Sequence, residues 1–200
     1  MGDSYFTIKQ KGEGQLREKM SRFLAFAHKI ASAEEAKSIV KAYQNEYHDS
    51  RHVCWAYMLG ADRQEWQLND NGEPSGTAGK PILGQINSRQ LTDVVVVVVR
   101  YFGGIKLGTP GLISAYREAA SLALDDAGIE EMHKQQTVEV TFPYMAADGV
   151  MRIVKSYDIE VLERKFDNTC SMTLRMREDD FEEITGKIGG VSGTSLRNID

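Results

Sequence analysis

Cysteine is nearly absent from the 200-residue chain: Cys54 and Cys170 stand alone and far apart. That excludes the disulfide framework of a small secreted protein, and both are read as reduced thiols. Long apolar runs are missing too. The longest, Val94 to Val99, is about a third of the ~20 residues a membrane-crossing helix needs, so no membrane partner is expected. The opening MGDSYFTIKQ has no apolar signal core, and Phe6 stands where a myristoylation signal wants Ser or Thr. The expected location is the cytoplasm. There is no bulk basic charge. Up to residue 135 the chain has 16 Lys and Arg against 17 Asp and Glu, and beyond it 8 against 12. Such a balance does not coat nucleic acid non-specifically, so any RNA contact must come from a local cluster.

What is present is ordinary globular material, 42% hydrophobic and 26% charged, in a length that suits two domains. The expected fold class is α+β. Strands are expected at 5–10 and 22–30. Ser32 then reads as the N-cap of a helix, with Glu35 as its capping-box partner and Ala36, Ile39, Val40 and Tyr43 on one apolar face. Strands follow at 52–59 and 65–68, ending at the Asp70-Asn71-Gly72 turn. Residues 93–102 form the clearest strand. They are β-branched without alternation, so this strand belongs at the centre of a sheet or is buried on both faces. Thr109-Pro110 reads as an N-cap followed by a first-turn proline, opening a helix that stops at Gly128.

From residue 136 the rhythm changes to strand 137–142, helix 146–157, strands 159–166 and 170–177, helix 179–188 and strand 194–199. That is the βαββαβ or ferredoxin-like order. The expected domains are 1–135 and 136–200, with the break at His133–Gln136. The smaller one is expected to dock on the larger.

Eight of the 18 glycines and three of the four prolines lie between residues 72 and 111. They fall in GEPSGTAGKPIL and VVRYFGGIKLGTPGLISAYREAA, each leading into a helix N-terminus, where free N–H groups attract anions. The candidate phosphate or nucleic-acid residues are Ser75, Gly76, Thr77, Gly79, Lys80, Arg100, Tyr101, Gly103, Gly104, Lys106, Thr109 and Arg117. Tyr101 and Phe102 could stack on a base or simply pack. For any single glycine a tight turn is the plainer explanation; the cluster as a whole favours a ligand.

Known motifs do not fit. GTAGKP lacks the first glycine of a P-loop, and Pro81 replaces its magnesium-binding hydroxyl. His48 and His52 lack the glutamate of a zinc-protease motif, so neither a metal nor a cofactor is expected. Cys54 reads as core rather than as a thiol partner of His52. The third strand of the C-terminal part, TCSMTLRMR, lacks the aromatics of an RNA-recognition sheet.

The two glycine-rich stretches, with HVCWAY upstream, resemble the signature segments of the IMPACT/YigZ family (UPF-0029) over roughly residues 15–125. The C-terminal part resembles the extra domain of bacterial YigZ-type members. The resemblance implies a first domain like the second domain of ribosomal protein S-five and a C-terminal domain like one of elongation factor G. It brings no catalytic residues. Eukaryotic members are associated with translational control through a different N-terminal interaction domain, for which no room is expected in this chain, so that role is not carried over.

The expected function is a non-catalytic binding protein that contacts RNA or the ribosome, or a protein partner in translational control, through a Gly-rich basic face. An enzyme acting on a phosphorylated small molecule is the alternative, with Asp70, Glu73 and His52 as candidate bases by proximity alone. A third reading is a protein-interaction module whose glycines are purely architectural. Whether Asp70 and Glu73 neutralise the basic face is a question the sequence poses without answering.

Overall fold

The computed structural model describes residues 3–199 and is a mixed α/β structure with five α-helices and three sheets among those residues. Contacts divide it into two units. One is Tyr5–Met132; the other runs from His133 onward and takes in Asp3 and Ser4.

In the first unit, β2 (Gly12–Glu18), β3 (Ser21–Lys29), β4 (His52–Leu59), β5 (Glu65–Asn69) and β6 (Val94–Tyr101) form one antiparallel sheet in the order β2-β3-β6-β4-β5. The valine run is central, as its composition requires. Val94, Val96 and Val98 enter the core under α2 (Gly79–Ser88) and α3 (Gly108–Ala127), while Val95, Val97 and Val99 enter the core under α1 (Ala33–Glu46). All six are fully buried. Successive strand residues point to opposite faces, so only a strand covered on both sides can be valine throughout.

Helix α1 begins where the sequence places it. Ser32 Oγ accepts the Glu35 N–H, and the Glu35 carboxylate reaches back to the Ala31 N–H at 2.7 Å. Helix α3 stops at Gly128, whose φ of +67° suits glycine. Its start differs from the expectation. The cap is Leu107, and Thr109 and Pro110 already lie inside the first turn.

Two strands, at residues 12–18 and 129–133, escape the periodicity reading. Strand β2 is polar because it lies at the sheet edge, and it is recognisable only by its pairing with β3. The short β1 (Ser4–Ile8) and β7 (Ile129–His133) pair with each other in a separate ribbon.

The second unit runs β8 (Gln135–Pro143), a single 3-10 turn, α4 (Ala147–Ser156), β9 (Glu160–Phe166), β10 (Thr169–Arg177), α5 (Glu178–Gly189) and β11 (Ser195–Asn198). Its sheet has the order β11-β8-β10-β9. Alternate residues of β8 and β10, among them Val138, Val140, Phe142, Met172, Leu174 and Met176, meet Val150, Val154, Phe181, Ile184 and Ile188 of the helices.

Asp3 is built into this unit. Its carboxylate accepts from Arg177 Nε at 3.0 Å and Nη2 at 2.9 Å, and lies 3.0 Å from His133 Nδ1. The bonds from Arg177, then His133, hold its carboxyl well below the usual range. A depressed folded-state pKa means the contribution is complete above the unfolded-chain value of ~3.9 and fades as pH falls below it. Asp3→Asn should therefore be less stable than the native chain at neutral pH, and the gap should close on acidification below about pH 4. Urea midpoints of both proteins against pH measure this. A gap of constant size from pH 7 to pH 2 would contradict it.

Candidate functional site

The two glycine-rich loops come together at one end of the first unit, but they do different things. Asp70 folds back over the first. Its carboxylate accepts from the backbone N–H of Gly76, Ala78 and Gly79 at 2.8, 3.1 and 2.8 Å. Burial alone would raise the Asp70 pKa; these three bonds outweigh it and hold the carboxyl below its ordinary value. Thr77 is buried and donates its hydroxyl to Pro74 O at 2.6 Å. The amides expected to cradle a phosphate at α2 therefore already hold an internal carboxylate.

Arg100 is likewise committed inward. It is only 5% exposed, and its Nη1 donates to Glu73 Oε1 at 2.7 Å. Tyr116 donates to the same oxygen at 2.7 Å, and Cys54 Sγ lies 3.4 Å from the Tyr116 hydroxyl and 3.0 Å from Asp70 O. Burial, ahead of the nearby charges, pushes both the Cys54 thiol and the Tyr116 hydroxyl far up. Cys54 is thus a core residue with no thiolate to offer. His52 Nδ1 is 2.8 Å from Asn71 O. A carbonyl only accepts, so this nitrogen carries the proton, and Nε2 faces Glu73 Oε1 at 3.7 Å.

Above this buried network lies a cleft of about 340 Å³ lined by Arg51, His52, Glu73, Arg100, Phe102, Lys106 and Thr109, among others. It opens at the N-terminus of α3, which no side chain caps. Arg100 Nε is buried and has no hydrogen-bond partner among the described residues. Arg51 and Lys106 are exposed and pair with no carboxylate among those residues. The Arg51 and Arg100 guanidinium carbons lie 5.4 and 5.6 Å from the centre of the Phe102 ring.

The twelve residues singled out from the sequence are therefore not one face. Arg100, Lys106 and Thr109 meet at this cleft, whereas Lys80 and Arg117, with Gly76, line a second one of about 310 Å³. Tyr101 donates to Asp49 at 2.8 Å. Gly103 is architectural, since a Cβ there would stand 2.1 Å from the Met20 backbone. Ser75 and Gly104 are simply exposed. Of the two acids, Glu73 neutralises a cation, the Arg100 guanidinium, whereas Asp70 is taken up by the loop amides. Arg51 was missed: it lies just before the HVCWAY strand, outside the glycine-rich stretches, and only the pairing of β4 with β6 brings it beside Phe102.

The Impact N-terminal domain model matches residues 19–124, the part of the chain that supplies four of the five strands of the sheet and both loops. The chain is 30% identical over 181 residues to the IMPACT family member YigZ of Escherichia coli, covering 90% of this chain and 89% of that one. To the IMPACT family member YvyE of Bacillus subtilis it is 38% identical over 141 residues, 70% of this chain and 65% of the relative. A crystal structure described only as that of a hypothetical protein superposes with a TM-score of 0.76 at 27% identity, over 100% of this chain and 99% of the other. With the family's segment forming the core and the cleft, and relatives matched along most of their length, the chain belongs to the IMPACT family.

Proposed function

We propose that this protein is a binding protein that holds a phosphate group of RNA in the Arg51–Arg100–Lys106 cleft, in a role linked to translation. The observation that carries the reading is the buried Arg100 Nε, without a hydrogen-bond partner among the described residues, beneath a helix start that no described side chain caps and two cations unpaired among those residues. An oxyanion there meets a helix dipole, backbone donors and positive charge together. The reading takes residues 1–135 as a domain like the second domain of ribosomal protein S-five and residues 136–200 as a ferredoxin-like domain. The strand order β11-β8-β10-β9 supports the latter.

The test is binding of short RNA, and co-sedimentation with ribosomes, at low and moderate salt. Lys106→Ala with Arg51→Ala should weaken binding about tenfold and flatten its salt dependence. Both side chains are exposed, so folding is left alone. Arg100 is the wrong residue for this test because its removal strands Glu73 in the interior. Unchanged binding in the double variant would overturn the assignment.

A second reading has one specific observation behind it. The cleft has the volume of a small-ligand site, and the His52 imidazole and the Glu73 carboxylate both line it. A phosphorylated small molecule would then be the ligand, and it should raise the melting temperature saturably.

A further inference from the structure

The opposite face of the same sheet end has a feature that the cleft does not use. In the β2–β3 hairpin Arg17 stands directly across from Arg22, and Arg22 directly across from Tyr101 of β6. Two like charges in facing positions repel and cost stability. The turn that joins these strands is strained as well. Its central residues, Lys19 and Met20, have φ of +43° and +68°, where glycine or asparagine is the usual occupant. Met20 is 77% exposed, so no core packing accounts for it. Arg17, Glu18, Lys19, Met20, Arg22 and Tyr101 line a hollow of about 390 Å³. Among the described residues, Arg17, Lys19 and Arg22 pair with no carboxylate. The nearby Asp49 is taken up by the Tyr101 hydroxyl, and the Arg22 guanidinium lies 4.8 Å from the Tyr101 ring centre.

The sheet end is therefore cationic on both faces, in a chain of net charge −5. Alternation puts Arg22 and Tyr101 on the α1 face and Arg100 and His52 on the α2/α3 face. Phe102 follows Tyr101 at the rim between the two hollows and is 38% exposed. We infer that this edge is a track for single-stranded RNA, which passes from the Arg51–Lys106 cleft over Phe102 to the Arg17–Arg22 hairpin. The inference rests on the phosphate reading of the cleft and extends it to the partner's form. A duplex is too stiff to bend around the edge of one sheet, whereas a single strand can place phosphates on both faces and a base against the rim aromatic. A phosphate between Arg17 and Arg22 also turns their repulsion into binding.

The test compares a uridine octamer, a uridine dinucleotide carrying a 5′-phosphate, an RNA hairpin duplex and a glutamate octapeptide, each fluorescently labelled, against the native chain and Arg17→Ala/Lys19→Ala. Both substituted residues are exposed, and circular dichroism checks the fold. The expected result is a loss of about tenfold for the octamer only, with a salt slope shallower by roughly 1.4, two single-strand phosphates' worth. The dinucleotide should be unaffected by this variant and weakened by Lys106→Ala. If the hairpin variant binds the octamer like the native chain, the track is wrong and the cleft stands. Equal or tighter binding of the duplex, or of the glutamate peptide, also overturns the track. Failure of the native chain to bind either oligonucleotide at low salt removes both readings.

Discussion

Arg100→Ala should lower the stability of the first unit by about 3–5 kcal/mol, the range for removing one partner of a buried ion pair. For a protein of this size that is a melting temperature lower by roughly 10 °C. The Glu73 carboxylate is 8% exposed and would keep only the Tyr116 hydroxyl as a close donor. The guanidinium also fills space between Phe23 and Phe102, whose ring centres lie 5.7 and 5.6 Å from its central carbon. The cost is therefore the stranded charge more than the lost attraction. It follows that Arg100→Met combined with Glu73→Leu should recover most of the loss, since neither partner is then left alone. Thermal melts of the native chain, the single and the double variant decide it. An Arg100→Ala protein that melts like the native one would mean that water reaches the pair.

Gly12→Ala should be nearly as damaging, for a reason of space rather than charge. A Cβ at this position of β2 would stand 2.0 Å from Ala123 O and 2.6 Å from Ala127 N, both backbone atoms of α3. No side-chain rotation relieves such a clash; the strand and the helix must separate. The expected cost is about 3 kcal/mol, at the upper end for overpacking. Gly84→Ala is the matched control. It lies inside α2 with nothing within 4 Å of a new Cβ, so it should gain up to ~1 kcal/mol from helix propensity. Urea unfolding of the two variants should shift in opposite directions. Similar shifts for both would show that β2 does not pack this closely against α3.

These two positions also mark the limits of sequence reading. The valine strand, the Ser32 cap, the Gly128 stop and the element order of the second unit follow from local periodicity and capping chemistry, and are legible residue by residue. Arg100 and Glu73 are 27 residues apart, and only the registration of β6 between β3 and β4 brings the guanidinium over the loop. The same holds for Asp70, whose role as acceptor for three loop amides depends on how the turn at 70–72 closes. Glycine enrichment marks these two loops without separating free backbone donors from amides engaged within the chain. The hairpin cations carried a local signal, three within residues 17–22. A polar edge strand with glycines at 12 and 14, however, has no apolar alternation to announce it.

The six-valine strand also bears on how the chain is made. Freed of its neighbours, Val94–Val99 has the makeup of an aggregation-prone segment, β-branched, uncharged and without proline. Both strands that flank it, β3 and β4, lie earlier in the chain. During synthesis from the N-terminus they leave the ribosome first. The valine strand thus emerges into a slot whose two sides have already been made, with Arg100 directly behind it as a charged gatekeeper until Glu73 takes it up.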